Sequence, residues 1–265
     1  MVLESLFPVK KVIKNPAEMF IFSMIITFAS IYLADLIFPG TSTGKIVTLF
    51  ITVAMTPMIY GIFKEEEEVE REEAEHKIHK TFWDRHDEAI WSFTLFFLGV
   101  CVAIFLIAVL SPEEYVTRIF SDQLSEIERV TSISGSFTVS DILNIIIMNN
   151  LRVMALSFVL SFLIGSGAVI ILAWNASILA LYLASFLRQG LVEEFVVRTV
   201  GLIPHAPIEI LAYFLAGIAG GMISVGLIRE KLFSKEFSLV FRDSIILMGL
   251  AVLAVLLGAF IEVGI

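Results

Sequence analysis

The sequence predicts an all-α polytopic transmembrane helix bundle of about seven spans, with the N-terminus inside and the C-terminus outside. A charged helical stem is expected on the cytoplasmic side and an amphipathic helix on the outer side. Three observations predict this class. Of 265 residues, 58% are apolar and only 17% charged, whereas about a quarter of a soluble domain is charged. The mean hydropathy is +0.91. The apolar residues also gather into runs near the roughly 20 residues that a helix needs to cross a bilayer core. One cysteine, Cys101, and a net charge of −9 exclude an internal disulfide scaffold and a nucleic-acid binder. The whole chain is read as one integral membrane domain of the cell membrane.

The first span is expected at 17–38, with Asp35 near its end. Lys10, Lys11 and Lys14 precede it, and no small-x-small cleavage site follows, so it reads as a span and not as a cleaved signal. The second and third spans, 46–63 and 90–110, are free of charge. The apolar stretch 141–187 is too long for one crossing. Gly165-Ser166-Gly167 divides it into spans 142–164 and 168–187. A break near Trp174-Asn175 is the rival reading, but it leaves a stub of about 12 residues, too short to cross. The last two spans are 207–228 and 244–262. With the N-terminus inside, the cytoplasmic segments hold 12 of the 18 Lys and Arg residues, the outer segments 5, and Arg152 lies within the fourth span.

Two connections are longer than turns. Residues 64–88 hold 11 acids and 5 bases, so −6 of the net −9 resides there. Rich in Glu and Lys and free of Gly and Pro, this segment reads as a helix continuing out of the second span. Glu72, His76 and His79 share one face of that helix. They are weak candidates for a divalent metal, set against a solvated charged stem with incidental histidines. Residues 112–131 place Val116, Ile119, Phe120, Gln123, Ile127 and Val130 at three- and four-residue steps. That is the pattern of an amphipathic helix lying on the outer membrane surface or capping the bundle.

Polar side chains at membrane depth are costly and therefore functional suspects. Asn149, Asn150 and Arg152 interrupt the fourth span, Asn175 the fifth, and His205 and Glu209 open the sixth. Their depths permit one buried cluster, a site for a ligand or ion. Each also has a structural reading. Pro207 suits the first helical position, with Ala206 as the cap and Glu209 reaching back to it. Asn175 suits interhelical hydrogen bonding, and Arg152 suits snorkelling or pairing with Glu209. Small residues at Ala176, Ala180 and Ala184, at Ala212, Ala216 and Gly220, and at Ala254 and Gly258 predict close packing. The fifth, sixth and seventh spans are expected to form one tight unit, and part of that surface suits a dimer contact.

Several of these residues resemble the stage II sporulation protein M family in its archaeal-type branch. They are Asn149-Asn150-Leu151-Arg152-Val153, Ser161-Phe162, Gly165-x-Gly167-Ala168 and Trp174-Asn175-Ala176-Ser177, then Pro204-His205 to Glu209-Ile210-x-Ala212-Tyr213-Phe214 and the small-residue run to Ser224. The later block is similar to the family's His-Gly-x-x-Glu motif, with Ala206 in place of Gly and the proline shifted. Phe82-Trp83-Asp84-Arg85-His86 is similar to the stem before the third span. The resemblance implies a membrane component working with other proteins as a scaffold, and brings no catalytic residue with it.

The expected function is a non-enzymatic membrane scaffold or assembly subunit, without a cofactor. Its partners are the lipid bilayer, a second copy (a dimer is favoured) and other membrane or cytoplasmic proteins. The alternative is a small-solute or ion conduit that uses the polar cluster. An intramembrane enzyme with His205 and Glu209 as acid and base is the third reading, and it lacks a nucleophile.

Overall fold

The computed structural model describes residues 16–74, 81–131, 138–230 and 234–264. Among them are ten helices: α1 (Pro16–Ile37), α2 (Gly44–Ala74), α3 (Phe82–Leu110), α4 (Glu113–Ile119), α5 (Ser121–Thr131), α6 (Val139–Ile164), α7 (Ala168–Arg188), α8 (Val192–Leu202), α9 (Ala206–Arg229) and α10 (Lys235–Val263). Seven of them, α1, α2, α3, α6, α7, α9 and α10, are long and apolar enough to cross a membrane.

Local chemistry explains where several begin and end. Thr81 and Asp84 form a capping box at the start of α3, and Thr138 and Asp141 form another at the start of α6. Each satisfies backbone N–H groups that have no partner inside the helix. Ser234 caps α10 by accepting from the Phe237 N–H. The α6–α7 hairpin turns at the predicted glycines. Gly165 closes α6 with φ of +77°, a conformation that strains any residue with a Cβ. A Cβ on Gly167 would lie 2.1 Å from the Leu160 carbonyl oxygen, so the tight return also needs a bare backbone there. Helix α7 runs unbroken through Trp174-Asn175.

The helices pack in two groups joined through α2. In the first, α3 lies against α1 and α7. In the second, α9 is clasped between α6 and α10 and is the most buried span of the seven, whereas α6 is the least buried. Bare backbones set the closest approaches. A Cβ on Gly220 of α9 would lie 2.3 Å from the Phe158 carbonyl oxygen of α6, and one on Gly217 would lie 2.6 Å from Ala168 Cβ. Gly221 similarly receives the Phe63 ring of α2.

Three expectations need correction. The fifth span is not packed into one unit with the sixth and seventh. Helix α7, with Ala176, Ala180 and Ala184 buried, packs chiefly on α3 and only slightly on α9. A small-residue stripe sets how closely a neighbour can approach, not which neighbour it is. The amphipathic segment is two helices, α4 and α5, which meet at Phe120. The stem is likewise not one helix within one connection. Its first part, to Ala74, extends α2, and residues 82–88 are the first turns of α3. Helix α8 was not anticipated, because its residues read as part of an outer connection.

The two ends of the bundle differ in kind. At the cap end α4 and α5 are pinned across the mouth. Arg118 bonds Asp35 at 2.6 Å, Lys45 bonds Asp122 at 2.7 Å, and the Thr43 N–H donates to the Ile119 carbonyl at 3.1 Å. Arg188 donates to the Ala108 and Ser111 carbonyls and so ties α7 to the end of α3. Helix α8 lies at the same end, with Val192, Val196, Val197 and Val200 exposed. At the stem end α2 continues past its apolar run to Ala74.

Candidate functional site

Helices α6, α9 and α10 bring polar groups together near the cap end. Asn150 of α6 is 5% exposed and sits where α6 meets α9. Its Oδ1 accepts a hydrogen bond from the Tyr213 hydroxyl at 2.8 Å and one from Asn149 Nδ2 at 3.3 Å. The Asn150 side chain also faces the Glu209 carboxyl, one turn above Tyr213 on α9. Glu209 in turn lies close to the Glu262 carboxyl at the end of α10. Gly258 makes room for it, since a Cβ at that position would lie 2.5 Å from Glu209 Cγ. Two carboxyl groups this close need a proton or a cation between them, because two bare carboxylates repel. Glu209 Oε1 and Asn150 Nδ2 are both buried without a hydrogen-bond partner of ordinary geometry. The cluster therefore has unused hydrogen-bonding capacity around its charged centre.

Of the six intramembrane residues singled out from the sequence, Asn149, Asn150 and Glu209 meet here. The other three do not. Asn175, on α7, donates to its own helix at the Ile171 carbonyl, 2.7 Å away, which satisfies it locally. His205 is the cap residue of α9, with Ala206 first in the helix. Its ring makes no hydrogen bond to any described residue, and it meets Glu209 only through the Glu209 N–H, which donates to the His205 carbonyl at 3.1 Å. The start of α9 is thus one residue earlier than expected, and the Glu209 side chain turns to Glu262, not back to the cap. Arg152 is exposed on the outward face of α6 and has no ion-pair partner among the described residues. An arginine facing lipid near the middle of a helix costs about 3 kcal/mol on insertion scales.

Tyr213 and Glu262 belong to the cluster but were missed from the sequence. Tyr213 lies one turn below Glu209, so the i, i+4 spacing offered a clue. Glu262 stands at the end of the last span, where a terminal carboxyl looks like ordinary solvated charge.

A second polar assembly lies at the stem end, where Arg85 and His86 of α3 meet Glu66 of α2 and Asp243 of α10. Arg85 reaches Asp243 through two nitrogens, at 2.9 and 2.6 Å. The His86 ring stands between two carboxylates, with Nδ1 3.3 Å from Glu66 and Nε2 3.6 Å from Asp243. All four are buried, and Arg242 adds a bond to Asp243 at 2.9 Å. Beside it Arg229 of α9 approaches Glu68 of α2 at 3.4 Å. The network joins the two helix groups by charge where apolar packing gives way to the stem. Glu72 is exposed on α2, and His76 and His79 lie outside the described residues. Among the described residues no group of three His, Cys, Asp or Glu side chains is arranged to hold a metal.

The bundle also has an apolar hollow. A cavity of about 580 Å³ opens between α3, α7, α8 and α9, lined by side chains such as Trp91, Phe97, Leu183, Ile203 and Phe214.

Seven long apolar helices around a small polar cluster define a multi-pass integral membrane protein. The chain belongs to the stage II sporulation protein M family, whose model matches residues 92–265. That range holds the whole cap-end cluster and Asp243, but not Glu66, Arg85 or His86. No curated protein and no solved structure matches the chain.

Proposed function

We propose that this protein is a non-enzymatic scaffold or assembly subunit of the cell membrane, which associates with itself and docks other proteins. In this reading the N-terminus and the acidic stem are cytoplasmic, and the α4, α5 and α8 cap lies outside. One observation favours the scaffold over the conduit. Between the cap-end cluster and the stem-end network, the described parts of α2, α6, α7 and α9 approach one another closely. Gly217 meets Ala168, Gly220 meets the α6 backbone, and Gly221 meets Phe63. Such contacts serve rigidity, since a close-packed core is not continuously deformable. The buried charges at both ends then act as cross-links between helices.

The conduit remains the second reading because the close Glu209 and Glu262 carboxyls resemble a proton- or cation-handling pair. Vesicles containing the purified protein separate the two. A scaffold leaves the proton and monovalent-cation leak equal to that of empty vesicles, while Asn150→Ala and Glu209→Ala weaken self-association or thermal stability. Flux through the parent protein that Glu209→Gln abolishes would overturn the scaffold.

A further inference from the structure

We propose that the outward face of α6 is the contact between two copies of this chain, in which Arg152 of the partner subunit reaches the Glu209–Glu262 carboxyl pair. The inference rests on the self-association proposed above and names its surface and its charges.

Helix α6 is the least buried of the seven spans, and Ile145, Met148 and Val159 are exposed on the same side as Arg152. A membrane helix does not need a covered apolar face, because lipid tails solvate it as well as leucine does. A guanidinium on that face is different, since lipid tails offer it no counter-charge. The carboxyl pair presents the complementary want. Among the described residues no basic side chain forms an ion pair with Glu209 or Glu262.

Depth brings the two together. Arg152 lies 12 residues from the end of α6, about 18 Å along the helix, and Asn150 lies about 21 Å along it. Helical side chains lean toward the N-terminus of their helix. The guanidinium therefore rises to the level of Asn150, which is the level of the carboxyl pair it faces. On α6 itself the two residues are two positions apart, about 200° around the axis. Arg152 therefore points away from its own cluster. Copies inserted in the same direction keep every residue at its depth, and a two-fold axis along the membrane normal makes each contact reciprocal. Glu262 is exposed at the end of α10, beside α6, so the pair is reachable from outside the bundle.

The test uses two differently tagged full-length copies expressed together, with the fraction of one recovered through the other as the readout. Parent copies are expected to co-purify. Arg152→Glu paired with itself, and Glu262→Arg paired with itself, are each expected to lose about tenfold, a loss of about 1.4 kcal/mol. Arg152→Glu paired with Glu262→Arg is expected to regain parental recovery, because both reciprocal contacts are then matched. A charge bond within one chain has no means of producing that rescue. Parental recovery for Arg152→Glu alone would overturn this surface while self-association stands; an arginine held by a lipid phosphate predicts that outcome. No co-purification of parent copies would overturn self-association itself.

If a charge reversal prevents folding, Arg152→Cys and Glu262→Cys copies in a Cys101→Ser background replace it. A short bis-maleimide is then expected to join the two, and the absence of a cross-linked pair would overturn the proposal.

Discussion

Replacing Gly220 by alanine adds one methyl group at the closest approach of α6 and α9. The new Cβ would lie 2.3 Å from the Phe158 carbonyl oxygen, 3.0 Å from the Phe162 nitrogen and 3.1 Å from the Phe158 carbonyl carbon. All three are backbone atoms, so no rotamer relieves the contact. A carbon approaches a carbonyl oxygen to about 3.3 Å, so the two helices must part by about 1 Å. Overpacking of a core costs about 1–3 kcal/mol, and the lack of a yielding side chain places this site in the upper part of that range. The same separation stretches the 2.8 Å bond between Tyr213 and Asn150 past ordinary hydrogen-bond length, which adds about 1 kcal/mol. A loss of about 3 kcal/mol is therefore expected in a reversible denaturant titration in mixed micelles. Gly249→Ala is the control, since a Cβ there meets nothing within 4 Å, and it should stay within about 0.5 kcal/mol of the parent. Gly221→Ala should fall between them, because the Phe63 ring it meets is a side chain and swings aside. A Gly220→Ala protein as stable as Gly249→Ala would refute the close α6–α9 approach and the reasoning built on it.

Other perturbations probe the two ends. Arg85→Ala leaves Asp243 buried beside Glu66, with His86 and the half-exposed Arg242 as its remaining partners. The same titration should show a loss of about 3 kcal/mol, while the paired change Arg85→Met with Asp243→Leu should lose less. Thr138→Ala removes the capping box of α6 and should cost about 1 kcal/mol, seen as faster hydrogen exchange in the first turn of α6. At the cap the hydrogen bond from Lys45 holds the Asp122 carboxyl below the usual carboxylate range. A folded-state value that is depressed means the bond supports α5 fully above the ordinary aspartate value of about 3.9 and is lost as pH falls through the lowered one. A spin label at position 125 in place of Ser125, in a Cys101→Ser background, should therefore gain mobility only in acid. With Asp122→Asn, mobility should no longer depend on pH in that range.

Legibility followed the range of the interactions. The seven spans and the glycine hairpin could be read because each depends on a run of neighbouring residues: 20 or so apolar positions, or two glycines separated by a single serine. Helix α8 escaped because Glu193, Glu194 and Arg198 break its apolar pattern into pieces too short to look like a span. The polar cluster was half visible. Asn150 and Glu209 stood out as polar groups in apolar runs, but Glu262 sits at a helix end, where a charge needs no explanation. Glu66 and Asp243 were hidden for the same reason, since a carboxylate flanking a span usually faces water. Asn175 misled in the opposite direction, because an amide at membrane depth is also satisfied by the carbonyl one turn earlier in its own helix.

The sequence by itself determined that this chain lives in a membrane, how many times it crosses, where it turns back, and that its net charge is concentrated in one stem. These are matters of solvation, and a transfer free energy sums along the chain without reference to what a residue faces. Only the tertiary structure decided which helix each small-residue stripe receives, that α9 and not α7 is the centre of the second group, and that Arg152 points away from the carboxyls at its own level. Those depend on the rotation of each helix about its axis. In lipid all faces are equally well solvated, so rotation is set by the fit of one backbone against another, which no single run of residues contains.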